Sequence, residues 1–106
     1  MFILKRKEKI CLNALKETCK KYQIDEYSIG SPCEQRVCIC KRGDNWEVFI
    51  VERGIEFDKT KHKECIDACL EVLNHCSYSI DEFKDTTSDF TDILKNKHQK
   101  IMKKAR

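Results

Sequence analysis

Apolar residues recur at helical spacing at Ile10, Leu15, Cys19 and Tyr22, with Cys11 and Leu12 on the flanks of the stripe. The segment contains no glycine or proline and is rich in Lys, Glu, Ala and Leu, which predicts a helix over residues 6–22. The period then changes. Tyr27 and Ile29 alternate ahead of Gly30-Ser31-Pro32, the pattern of a short strand ending in a turn. "RVCICK" and "WEVFIVER" are rich in β-branched and aromatic residues, and "RGDN" between them carries turn chemistry. Trp46, Val48 and Ile50 share one face of the second strand, while Phe49 and Val51 share the other; Val37 and Ile39 likewise oppose Cys38 and Cys40. Both faces of this hairpin are apolar, so helices are expected to cover both.

Ile55 and Phe57 alternate as a continuation of the sheet, and Asp58 or Thr60 is placed to cap the next helix. That helix is expected from Lys61 to about His75, with Cys65, Ile66, Cys69, Leu70, Val72, Leu73 and Cys76 on a broad apolar face. Ser79 and Glu82 have capping-box spacing before Phe83. Ser88 is expected to open a final helix carrying Phe90, Ile93, Leu94 and Ile101, almost wholly polar beyond Lys95 and there frayed or projecting into solvent. The fold class is therefore α+β: an N-terminal helix, a small antiparallel sheet of three or four strands, and C-terminal helices packing on the sheet.

At 106 residues the chain has room for one core, expected over residues 6–94, with 95–106 as a basic end. The net charge of +3 conceals segregation. Residues 1–22 carry seven basic and two acidic side chains, residues 23–93 eight basic and sixteen acidic, and residues 94–106 six basic and no acidic. An acidic middle lies between basic ends, which bears on partners. No stretch approaches the ~18 apolar residues of a membrane span. The opening "MFILKRKEKI" reverses the order of a signal peptide, so a cytoplasmic protein with reduced cysteines is expected.

The eight cysteines include no C-x2-C pair. Cys38 and Cys40 on one strand face, with Cys65 and Cys69 one helical turn apart, could supply four zinc ligands if that face met that helix. The helical cysteines share their stripe with Ile66, Leu70 and Leu73, however, and reduced cysteine packs as a small apolar residue. Core packing is the expected role, with no metal and no cofactor. His62, His75 and His98 have no partner in sequence, and "RGDNW" and "ERGIE" each offer one glycine where a phosphate cradle needs several. Nothing in the residues supports enzyme activity. "KNKHQKIMKKAR" could neutralise phosphates, but aromatics are not interleaved with the basic runs, so direct nucleic-acid binding is not expected. A small nucleic-acid-binding regulator using the basic termini, or a cysteine-rich zinc-binding adaptor, stands as the alternative.

Several short motifs in order carry a resemblance: Tyr27-Ser28, then Trp46, then Glu52-Arg53-Gly54, then Ala68-Cys69. Over residues 12–75 the chain resembles small immunity proteins of bacterial polymorphic-toxin and contact-dependent growth inhibition systems. The resemblance implies a non-enzymatic protein that binds a cognate toxin C-terminal domain, commonly a nuclease, and blocks its active site or its access to substrate. A nuclease presents a basic cleft, which an acidic inhibitor can occupy. The contact candidates are the carboxylates expected at strand ends and loops: Glu26, Asp44, Glu47, Glu52, Glu56 and Asp58. No membrane partner is expected. A homodimer through an uncovered sheet edge is open.

Overall fold

A computed structural model describes residues 4–104, with side chains through residue 100. Its elements are α1 (Arg6–Lys21), β1 (Tyr27–Ile29), β2 (Val37–Arg42), β3 (Asn45–Glu52), β4 (Ile55–His62), α2 (Cys65–Cys76) and α3 (Ile80–Lys104). The four strands lie in the order β1-β2-β3-β4, which makes the fold α+β.

Helix α1 starts where the Glu8 carboxylate accepts the Lys5 backbone N–H at 2.9 Å, half of a capping box. It ends in paired bonds from Ile24 N to Cys19 O and from Gln23 N to Lys20 O, with Gln23 at φ 57. This is a Schellman ending with glutamine where glycine is the usual residue.

Two tight turns set the register of the long ribbon. Arg42 pairs with Asn45 across Gly43-Asp44, and Gly43 sits at φ 62. Glu52 pairs with Ile55 across Arg53-Gly54, where φ is 53 and 76, the two positive values that a type I′ hairpin turn demands. The carboxylate of Glu34 accepts both amides of this second turn, those of Arg53 and Gly54.

Four expectations are corrected. The sheet is mixed: β1 runs parallel to β2, from Tyr27↔Val37 to Ile29↔Ile39. Residues 30–36 return the chain to the starting end of β1, helped by left-handed Gly30 and Gln35. Second, β4 reaches His62 and α2 begins only at Cys65, after Glu64. Asp58 and Thr60 are thus strand residues and not caps; Asp58, at φ 52, lies at the register shift opposite Val48–Ile50.

Third, α3 is continuous through Ser88. Nothing between Ile80 and Lys104 breaks a helix, and Phe83, Thr86, Phe90 and Leu94 keep one stripe facing inward. Ser79 Oγ caps it by accepting from Glu82 N at 3.1 Å, while Glu82 Oε2 accepts from Tyr78 N. The helix is described as far as Lys104, and Lys97 Nζ meets Glu17 of α1 at 3.1 Å. The side chains beyond residue 100, Ile101 among them, lie outside the described residues.

Fourth, among the described residues helices cover one sheet face only. Val37, Ile39, Trp46 and Val48 join Leu12 and Leu15 of α1, Cys69, Val72 and Leu73 of α2, and Phe90 of α3 in the main core. On the other face Cys38, Cys40, Phe49 and Val51 form a second cluster joined by Cys33 from the 30–36 segment and by no helical residue. Its remaining cover is ionic. The Arg42 guanidinium lies 4.7 Å and the Lys59 ammonium 5.5 Å from the Phe49 ring centroid. Long side chains can shield apolar surface with their stems while their charged heads stay near water.

Candidate functional site

The six carboxylates read from the sequence as contacts are dispersed over the molecule. Glu47 and Glu56 anchor the ionic cover of the second face. Arg42 donates to Glu56 through two nitrogens, each at 2.8 Å, and to Glu47 at 2.9 Å; Lys59 reaches Glu56 at 2.7 Å. Donation from Arg42, and then from Lys59, brings the Glu56 carboxyl down to about 2. Asp44 is exposed in the Gly43-Asp44 turn, Glu52 at the end of β3 and Asp58 at the irregularity of β4. Glu26 is exposed just before β1, beside a different group of acids.

That group forms where α1 ends and α3 begins. Between Glu64 and Asp92 the chain carries eight carboxylates and one lysine, Lys84. Asp25, Glu26 and Glu82 line a shallow cleft with Tyr22 and Tyr78. Asp89 accepts a hydrogen bond from the Tyr22 hydroxyl and, at 2.9 Å, an ion pair from Lys21. The bond to Asp89 is the main cause that pushes the Tyr22 phenol up to about 12, with burial, Asp85 and Glu82 adding to it. Two large apolar residues stand out beside these acids: Tyr78 is 89% and Ile80 75% exposed. Ser79, between them, is committed to capping α3, which holds both at the helix mouth.

A second constellation lies under α1 and α2. The sulfurs of Cys11, Cys65 and Cys69 fall within 4.8 Å of one another, and all three residues are buried. Cys11 and Cys65, but not Cys69, line a cavity of about 820 Å³ together with Lys5, Lys7, Lys41, Lys63 and His98 and the acids Glu8, Asp44 and Glu64. The four cysteines considered from the sequence do not converge, because Cys38 and Cys40 belong to the opposite sheet face from Cys65 and Cys69. The other histidines stand apart: His62 contacts Thr60 at 2.9 Å, and His75 lies 3.1 Å from Glu71.

No protein-family model, curated protein or solved structure matches this chain. The motifs behind the sequence resemblance are architectural. Trp46, Ala68 and Cys69 are buried in the main core, and Arg53-Gly54 forms the tight turn. Tyr78 and Ile80 were missed because an apolar residue beside a helical stripe reads as part of it. Tyr78 precedes the helix and Ile80 is its first residue, and neither belongs to the packed core.

Proposed function

We propose that this chain is a cytoplasmic immunity protein that neutralises a cognate toxin domain, a nuclease, by stoichiometric binding. One observation carries the reading: Tyr78 and Ile80 project from a surface flanked by Asp25, Glu26, Asp81, Glu82 and Asp85. Exposed aromatic anchors ringed by charge are the usual core of a protein–protein contact. Carboxylates of one sign select a basic partner and speed its capture. A nuclease active-site cleft has that sign, because it must hold phosphates.

The binding surface is thereby centred on the α1 end and the α3 start, with Glu26 as the member shared with the sequence-based candidates. Asp44, Glu52 and Asp58 lie on the sheet ribbon, and Glu47 and Glu56 support the fold. The test is co-expression with the toxin domain that, on this reading, a neighbouring gene should encode. Rescue of growth and co-purification in a one-to-one complex are expected. Growth arrest despite abundant folded protein defeats the proposal.

A further inference from the structure

We propose that Cys11, Cys65 and Cys69 form a structural zinc site, completed by His98, that locks α1, α2 and α3 together. Cys65 and Cys69 are four residues apart on α2, so their side chains lie one turn above the other on a single face. Cys11 comes from α1, and all three sulfurs lie within 4.8 Å of one another. Zinc–thiolate bonds of about 2.3 Å in a tetrahedron put sulfurs about 3.8 Å apart, so closure asks for shifts of about 1 Å. The sulfurs would give up little to make it. Cys65 reaches the Glu8 carbonyl at 3.9 Å and Cys69 the Cys11 carbonyl at 4.0 Å, long contacts even for a weak thiol donor.

The surroundings separate this trio from ordinary buried cysteines. Cys19 and Cys76 are raised to about 12 and about 11, chiefly by burial, and Cys38 and Cys40 are raised for the same reason. Among the described residues no other cysteines bring three sulfurs this close together. Metal binding would release the thiol protons of the trio.

The cavity supplies an entry path, and His98 on its wall would turn inward to become the fourth donor, since its ring nitrogens do not lie within 4.8 Å of all three sulfurs. Cys11, Cys65 and His98 line it together, while Cys69 is fully buried outside that lining. Three thiolates around a divalent zinc leave one negative charge; Lys5, Lys7, Lys41 and Lys63 line the same space against Glu8, Asp44 and Glu64, an excess of one positive charge. A three-cysteine, one-histidine set is a common structural zinc donor set, whereas Cu(I) is satisfied by soft sulfur and has no need of the imidazole.

Reduced, metal-stripped full-length protein should be titrated with Co(II) as a spectroscopic probe and then with Zn(II). One equivalent of Co(II) should give thiolate-to-cobalt absorption in the near ultraviolet and tetrahedral bands in the visible, both erased by Zn(II). Zn(II) should raise the melting temperature. Cys11→Ala and Cys69→Ala should abolish the bands, while Cys40→Ala, on the other sheet face, should retain them. His98→Ala alters a partly exposed residue outside the core, so it should fold normally while weakening Zn(II) binding roughly 10-fold or more. The proposal is overturned by the absence of stoichiometric binding, by bands retained in Cys11→Ala, by indifference to His98→Ala, or by a disulfide within the trio under reductant.

Discussion

The indole Nε1 of Trp46 donates to Glu8 Oε2 at 2.8 Å, joining the middle of the sheet to the first turn of α1. The same carboxylate accepts from the Lys5 backbone and, at 3.0 Å, from Lys41. One acid thus starts a helix, satisfies a buried indole and anchors a strand residue.

Burial opposes ionisation of Glu8, but these three donors outweigh it and its carboxyl lies below the ordinary value. A depressed folded pKa contributes stability that is present above the unfolded pKa, about 4.3, and disappears as pH falls through the folded one. Glu8→Ala should cost about 2 kcal/mol at neutral pH by orphaning the indole and the Lys5 backbone N–H. Urea melts at pH 7 and at pH 3 check this, and the difference between the two proteins should narrow at the lower pH.

Arg42→Met keeps the stem over Phe49 but strips Glu47 and Glu56 of their main partner. A loss of about 1–3 kcal/mol is expected at pH 7, between exposed and buried ion-pair values. Because Glu56 is held near 2, the wild-type advantage should persist down to about pH 4 and shrink below it. Acid titration followed by tryptophan fluorescence measures it.

Gln23 occupies a left-handed position that ends α1. Gln23→Gly should therefore stabilise the protein by about 0.5–1 kcal/mol through relief of backbone strain. Thermal melts of the two proteins decide it. A lower melting temperature would show that the glutamine side chain contributes more than its backbone costs.

Tyr78→Ala with Ile80→Ser should leave the melting temperature within about 1–2 °C of the parent, since both side chains are exposed. The pair should weaken toxin binding by 100-fold or more, roughly the scale of hot-spot truncation. Asp81→Lys with Asp85→Lys should instead slow association and flatten its salt dependence. Surface plasmon resonance separates the two effects. Unaltered binding by both double variants would move the interface elsewhere.

Local chemistry was readable from the sequence wherever one segment decided the outcome. Helix α1, the Gly43-Asp44 turn and the Ser79–Glu82 cap are set by residues close together in the chain. Tertiary choices were not. The parallel pairing of β1 depends on how residues 30–36 loop back, and the start of α2 was displaced because Asp58 and Thr60 serve β4. The convergence of Cys11 with Cys65 and Cys69 joins helices more than fifty residues apart, which spacing along either one does not encode. Glu47 and Glu56 looked like surface acids because Arg42 and Lys59 become their neighbours only after the ribbon folds.

The Arg42–Lys59 cover over Phe49 leaves the sheet gripped by unlike forces on its two sides. Sulfate, which strengthens apolar burial, should tighten the helical side, while chloride at equal ionic strength should loosen the charged one. Such a chain has no single response to salt: each anion shifts the balance between an oily grip and an electrical one, so local opening should begin on whichever side the surrounding electrolyte disfavours.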